Sequence, residues 1–363
     1  MSKNVLDSFV AKTIQDHYPD AAHNYSIQQF VNQDDFGKGG FGGGSVYQVI
    51  SNEGKLLCVV KVEDVDEEAK KFIDLLVPAS NLLRQLPLID LQLILPISAQ
   101  ITNVNGILQR FIATPAAQGK GIVTDLAALS RNEIPLESFI KTLQNVSQAL
   151  AEFNTLLLKE SPTLTPELQK IDDKVVEVFL LYLQEHPEWF SFDSKFFKEK
   201  FATLYHAAYK IPFQIGFIHG DSSITNIFYD AETNLTSLVD SMTIFRSISL
   251  KGEPTGNIAQ EFANTRCSLQ LYGTYYGLSK EILTSIDNTF TKSYPLPIPP
   301  EHNLLYSLHF WMAYLVVVYK VKQQKPLLAK SLENLLRYVI NSLYSNLVGE
   351  LNPKAQSRKE KNK

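Results

Sequence analysis

Phe217-Ile218-His219-Gly220-Asp221-Ser222-Ser223-Ile224-Thr225-Asn226-Ile227-Phe228-Tyr229, followed by Leu235 to Val239 and then Asp240, is the stretch on which the reading of this chain turns. Ile227 to Tyr229 and Thr236 to Val239 are apolar runs on either side of Asp230-Ala231-Glu232-Thr233-Asn234, a cluster of turn formers, so the segment predicts a β-hairpin. Asn226 and Asp240 lie symmetrically about that turn and are expected nearly opposite each other at its open end. Cross-strand neighbours are about 5 Å apart, close enough for both side chains to hold one Mg2+ whose oxygen shell nucleotide phosphates complete. Asp221 comes five residues before Asn226, on the loop leading into the first strand, where a carboxylate can accept or orient the proton of an attacking hydroxyl. A positioning base and metal ligands at the phosphates are the parts that phosphoryl transfer needs. The bland alternative is that Asp221 caps a turn and that Asn226 and Asp240 end strands.

A second feature lies near the start of the chain. Gly37-Lys38-Gly39-Gly40-Phe41-Gly42-Gly43-Gly44-Ser45-Val46 is a glycine-rich turn between strands whose backbone amides could cover a triphosphate. Gly39, Phe41, Gly44 and Val46 fall on a G-x-G-x-x-G-x-V pattern with phenylalanine at the second glycine; Gly42 and Gly43 belong to the same cradle. A plain floppy loop would have the same composition. Lys61 follows inside the apolar run Cys58-Val59-Val60-Lys61-Val62, where an ammonium is costly unless it finds an anion. Asp64 to Leu76 reads as the next helix, with Asp64 and Glu67 spaced as a capping box and Glu68 at the edge of its inner face. Lys61 paired with Glu68 would present its charge to the α and β phosphates of ATP; the alternative is an exposed strand face.

Outward from these features the chain changes texture. Val5 to His17 has helical spacing, Val46 to Ile50 and Leu56 to Val62 flank the turn Ser51 to Gly54, and Leu91 to Ile97 and Gly106 to Ile112 read as strands. Beyond Thr114 to Gly119 the main candidates are helices: Ser138 to Leu158, Thr165 to Glu185, Asp193 to Tyr209, Ile258 to Tyr276 and Asn303 to Leu347, the last as one helix or two. The organisation expected is α+β, with a β-rich N-lobe over residues 1–113, a mainly helical C-lobe over 114–350 and a basic tail over 351–363. The 363 residues, 45% of them hydrophobic, can fill two such lobes, and the net charge of −4 gives no basic field for nucleic acid. Two cysteines, Cys58 and Cys267, indicate neither a disulfide framework nor a zinc site, and with no signal-peptide pattern the expected compartment is the cytoplasm. Leu304 to Val321 is broken by Ser307, His309 and tyrosines and reads as a core helix rather than a membrane span.

In this order the residues resemble the aminoglycoside phosphotransferase and choline kinase-like family, over about residues 5 to 345. That family's H-G-D-x-x-x-x-N is met by His219, Gly220, Asp221 and Asn226, and its strand-ending metal aspartate by Asp240. Gly252-Glu253-Pro254-Thr255-Gly256-Asn257-Ile258-Ala259 is similar to its later G-D-P-x-x-D segment, with Asn257 in place of an aspartate that braces the catalytic loop. Ala149 to Asn154 occupies the place of its leucine-histidine helix end. The resemblance implies a two-lobed protein-kinase-like fold and Mg2+-dependent transfer from ATP to a hydroxyl of a small molecule. It also implies that backbone groups of Arg110 and Ile112 in an interlobe hinge meet adenine, and that His219 is structural. Ser222-Ser223-Ile224-Thr225 departs from the family's usual histidine-proline loop. Two other readings stay open: a protein Ser/Thr kinase, against which stands the lack of H-R-D and A-P-E segments and of a D-F-G at Asp240 (Asp35-Phe36-Gly37 opens the glycine cluster instead), and a catalytically silent nucleotide- or partner-binding module. Tyr272, Tyr275, Tyr276, Phe310 and Trp311 could box a cationic amine, with Glu261 helping, or could be core aromatics.

Overall fold

A computed structural model describes residues 3–30, 44–190, 192–240, 244–245, 247–249, 252–324 and 329–349. The chain divides into two compact units, Met1–Ile122 with Thr225–Phe245, and Val123–Ile224 with Arg246–Lys363.

The first unit carries a five-stranded antiparallel sheet in the order β1-β2-β3-β6-β5, built from β1 (Tyr25–Gln29), β2 (Ser45–Ser51), β3 (Leu56–Asp64), β5 (Ser98–Val104) and β6 (Ile107–Pro115). Alternation along β3 sends Cys58, Val60 and Val62 to one face, which packs with Phe111 and Ala113 of β6 against Leu6, Phe9, Val10 and Ile14 of helix α1 (Lys3–His17). Lys61 and Glu63 fall on the other face. The helix expected from Asp64 starts later: Asp64 ends β3, paired with Gln109 and accepting from its Nε2, and it is Asp66 that accepts from the Ala69 amide at 3.1 Å. A single 3-10 turn at Glu67–Ala69 then leads into α2 (Lys70–Leu83).

A smaller sheet completes this unit in the order β4-β11-β10-β7, from β4 (Leu91–Leu93), β7 (Lys120–Gly121), β10 (Ile227–Asp230) and β11 (Leu235–Leu238). The expected strand Leu91 to Ile97 is thus cut short. Past Leu93 the chain changes sheets, the Ile94 amide bonding Leu238 and the Ile97 amide bonding Ala113. The β10–β11 hairpin turns through Asn234 in the left-handed region (φ 57°), which asparagine tolerates better than most residues. Gly119 (φ 79°) lets β7 close on β10, since a Cβ there would lie 2.2 Å from the Tyr229 carbonyl oxygen.

The second unit is mainly helical: α3 (Ile122–Ser130), α4 (Leu136–Thr155), α5 (Pro166–Glu185), α6 (Ser194–Ala208), α7 (Ile258–Tyr275), α8 (Lys280–Ser293), α9 (Pro300–Gln324) and α10 (Ala329–Gly349). The run Asn303 to Leu347 resolves into two helices, and α3 and α8 are additions to those read from the sequence; α8 is the helix of residues 280–293. It begins where Ser279 Oγ accepts from the Ile282 amide. A three-stranded antiparallel sheet, β12-β9-β8, joins β8 (Lys159–Ser161), β9 (Phe213–Gly216) and β12 (Gly256–Asn257). Among the described residues no helix is long and apolar enough to cross a membrane.

Candidate active site

The candidate residues fall into one group in each unit. In the helical unit, β9 runs into the segment 217–224, which is fastened from several sides. Asn154, at the end of α4 and fully buried, donates from Nδ2 to the Phe217 carbonyl at 2.6 Å and accepts from the Tyr294 hydroxyl at 2.5 Å. Ser247 Oγ donates to the Ile218 carbonyl at 2.8 Å. Gly220 takes φ 81°, a conformation for which glycine pays no Cβ penalty.

Most of the fastening comes from one stripe of α7. Glu261, Asn264, Thr265 and Ser268 stand at i, i+3, i+4 and i+7 in a helix that is otherwise largely apolar, and so share a face. The Glu261 carboxylate accepts from the amides of His219 (3.1 and 3.2 Å) and Gly220 (3.3 Å), and its backbone carbonyl accepts from Ser222 Oγ at 3.1 Å. Thr265 Oγ1 donates to the Ser222 carbonyl at 2.9 Å, and Ser268 Oγ accepts from the Ile224 amide at 3.1 Å. Burial pushes the Glu261 carboxyl up, against the opposing pull of His219 and the backbone donors. Asn257, which stands where the resemblance places a bracing aspartate, instead caps α7, its Oδ1 accepting from the Ala259 amide at 3.0 Å while Nδ2 donates to the Tyr306 hydroxyl at 3.3 Å. The carboxylate that braces the loop is Glu261, one helical turn beyond Asn257, and its buried bonds to the loop amides leave it closed to an amine ligand.

Asp221 lies in the middle of this fastened loop, half-buried. Asn264 Nδ2 donates to its Oδ1 at 3.3 Å, and Asn264 is itself held by the Tyr314 hydroxyl donating to its Oδ1 at 2.8 Å. An uncharged amide thus orients the carboxylate on this side and does not neutralise it. Tyr272 is buried and Tyr314 partly so, and burial of the hydroxyls first, with the charge on Asp221 among the lesser causes, raises both above the usual tyrosine value. Tyr272, Phe310 and Trp311 are all buried, Trp311 edge-on to Tyr314 and Tyr338, so these rings are core packing rather than an open amine box.

In the first unit, Lys61 stands in β3 with Val46 of β2 directly opposite. Its ammonium lies 2.7 Å from Asp240 Oδ2 and 2.8 Å from Glu63 Oε1, and Glu63 Oε2 lies 2.6 Å from Arg110 Nη2. Burial alone would lower the Lys61 pKa, but the charges of Asp240 and Glu63 outweigh it and hold the ammonium above its ordinary value. Glu63 is likewise kept below the ordinary carboxylate value, burial being outweighed by Lys61 and Arg110. Gly39, Phe41, Gly42 and Gly43 lie outside the described residues, as does the side chain of Glu68. Gly44 is described. A Cβ there would lie 2.8 Å from Glu63 Cγ.

The hairpin sets Asn226 and Asp240 one step out of the expected symmetry. Ile227 pairs with Leu238, and the Val239 amide bonds the Asn226 carbonyl at 2.9 Å, so Asn226 faces Val239 and Asp240 is the next residue out. Asp240 has φ 59°, which ends the strand geometry there and breaks the alternation of side chains. The adenine contacts expected of Arg110 and Ile112 need correcting. β6 is an interior strand, with Arg110 set between Glu63 and Ile101 and Ile112 between Lys61 and Ala99. The backbone groups of both residues are therefore taken up by the ladder, while the Arg110 side chain bonds Glu63. The sequence signal for Glu63 was its position two residues after Lys61 in a strand, which puts both on one face.

No family model and no curated protein matches the sequence. Among solved structures the chain is similar to a choline/ethanolamine kinase family protein from Mesorhizobium loti, with a TM-score of 0.50 at 8% identity over 96% of each chain. It is also similar to wild-type aminoglycoside 2'-phosphotransferase-IIIa in its GDP complex (TM-score 0.49, 11% identity, 96% of this chain and 100% of that one). A glucosamine kinase gives a TM-score of 0.48 at 12% identity, over 90% of this chain and 82% of the other. The likeness to the first of these identifies the fold as protein-kinase-like, α+β, with a β-rich N-terminal region and a mostly helical C-terminal part.

Proposed function

We propose that this chain is an ATP- and Mg2+-dependent phosphotransferase, of the aminoglycoside phosphotransferase and choline kinase-like kind, that moves the γ-phosphate to a hydroxyl of a small molecule. The observation that carries this reading is the 2.7 Å contact of the Lys61 ammonium with the Asp240 carboxylate, a partly buried cation and anion held where a strand and a hairpin end meet. Asp240 already accepts a cation there, and with the amide oxygen of Asn226 it offers the hard oxygen donors that Mg2+ prefers. When bound, the metal neutralises charge on the nucleotide phosphates. Lys61 has a second carboxylate in Glu63, so it can give up Asp240 and turn its charge to the α and β phosphates without being left alone in a partly buried place. The glycine cluster, Gly39 to Gly44 with Phe41 and Val46, covers the phosphates. The adenine edge meets backbone at residues 116–118, the first stretch after β6 to leave the ladder.

Asp221 supplies the remaining chemistry. Its carboxylate accepts a hydrogen bond from the acceptor hydroxyl, fixes the oxygen lone pair toward the γ-phosphorus, and takes the proton as the new O–P bond forms and the bond from the γ-phosphorus to the β–γ bridging oxygen breaks, releasing ADP. The acceptor is a small hydroxylated compound of the aminoglycoside, choline or sugar type, and the cytoplasm, where Cys58 and Cys267 stay as free buried thiols, is the working compartment. The test is a thermal shift with ATP and Mg2+, followed by a phosphate-transfer screen over aminoglycosides, choline-like amines, sugars and a generic protein substrate. We expect stabilisation and transfer to one of the small-molecule classes. Binding with no transfer to anything would favour the silent module, and transfer to the protein alone would favour a protein kinase.

Asn264→Asp gives a sharper signature. A second carboxylate 3.3 Å from Asp221 makes it harder to ionise both, so the acid limb of the transfer rate moves to higher pH. Asn264→Ala is expected to slow transfer without moving that limb. Identical pH profiles for the Asp and Ala variants would exclude Asp221 as the base.

A further inference from the structure

We propose that Glu63, on the same strand as Lys61, is the carboxylate that positions Lys61 for the nucleotide, and that Arg110 holds Glu63 in turn. This rests on the reading of Lys61 as a phosphate ligand. Lys61 and Glu63 are two residues apart in β3, so strand geometry alone puts both side chains on one face. Arg110 is the direct cross-strand partner of Glu63 in β6, and the pair closes at 2.6 Å. Glu63 therefore bridges two cations, with Oε1 at 2.8 Å from Lys61 and Oε2 at 2.6 Å from Arg110, and its side chain is only 13% exposed. Space has been kept for it: Gly44, where the glycine cluster enters β2, would bring a Cβ to 2.8 Å from Glu63 Cγ and 3.0 Å from the Val62 carbonyl oxygen.

The division of labour between the two partners of Lys61 follows from chemistry. Asp240 is the carboxylate wanted by a divalent cation, so its contact with Lys61 has to give way when metal and nucleotide bind. Glu63 has no such second duty. A strand-borne brace also differs from one carried on a separate helix. Its distance to Lys61 is set by the strand repeat and by the β3–β6 register, so Lys61 stays aimed wherever α2 stands.

Isothermal titration of the full chain with Mg·ATP, and separately with adenosine, tests this on wild type, Glu63→Gln, Glu68→Gln and Arg110→Gln. Glu63→Gln is expected to weaken Mg·ATP by about tenfold, the worth of one charge-assisted contact, while adenosine, which has no phosphates, binds as before. Arg110→Gln should weaken Mg·ATP by a smaller factor, and Glu68→Gln should leave it unchanged. Melting curves establish that each variant is folded, and should Glu63→Gln fail to fold, Arg110→Gln carries the test alone. Wild-type affinity for Mg·ATP in Glu63→Gln, an equal loss in Glu68→Gln, or a parallel loss of adenosine overturns the assignment of Glu63. No binding of Mg·ATP to the wild type would instead remove the reading of Lys61 on which the assignment stands.

Discussion

Asp221→Asn is expected to slow phosphate transfer from Mg·ATP by a factor of about 100 to 10,000, the usual worth of a positioned general base, while Mg·ATP binding stays within about twofold of wild type. Asparagine has the same shape and keeps an oxygen for Asn264 Nδ2, which donates to Asp221 at 3.3 Å, so the loop has no reason to move. Other side-chain fastenings of that loop lie on Glu261, Thr265, Ser268, Ser247 and Asn154. What is lost is proton affinity: an amide cannot take a proton from the acceptor hydroxyl at neutral pH. Single-turnover transfer, with binding followed by titration of the nucleotide, separates the two quantities. Transfer at the wild-type rate would show that Asp221 is not the base. A loss of binding equal to the loss of rate would show that the substitution had disturbed the nucleotide site rather than the chemistry.

The hairpin was legible because two short apolar runs around five turn formers leave few other options, and it forms over Ile227–Asp230 and Leu235–Leu238. Its register was legible only to within one residue. Symmetry about the turn paired Asn226 with Asp240, but Asn234 and Asp240 both adopt left-handed φ, and nothing in residue type alone says which asparagine or aspartate will do so. That the backbone of Arg110 and Ile112 is taken up in the ladder was not legible, for a different reason. Whether β6 is an edge or an interior strand depends on sheet order, and β5 comes to lie beside it through a tight turn at Asn105 and Gly106 (φ 54° and 87°). Lys61 is readable as a cation in need of an anion, and the structure gives it Glu63, two residues away on the same strand face, while the side chain of Glu68 lies outside the described residues. The stripe Glu261, Asn264, Thr265 and Ser268 is present in the sequence as a polar i, i+3, i+4, i+7 set, but helical spacing says only that the four share a face and not which loop that face meets.

Glu261→Ala is expected to destabilise the chain by about 2 to 5 kcal/mol, read as a fall in Tm and in the denaturant midpoint. The Glu261 side chain is about 1% exposed, and three hydrogen bonds converge on its carboxylate from the His219 and Gly220 amides. Truncation strands those donors in the interior, each at about 1 to 3 kcal/mol, and leaves a cavity; relief of the buried charge offsets part of this. Glu261→Gln keeps the volume but turns an amide donor toward one of the same backbone donors, so it should lie between alanine and wild type. The pH dependence gives the independent check. Burial raises the folded pKa of Glu261 above the unfolded value near 4.5, so its contribution is fully present below that value and is lost as pH rises through the folded pKa. The stability of wild type relative to Glu261→Gln, which does not titrate there, should therefore grow as pH is lowered from neutrality toward 4.5. The opposite slope would mean that the backbone donors and His219 outweigh burial, with Glu261 held as an ionised carboxylate at no net cost.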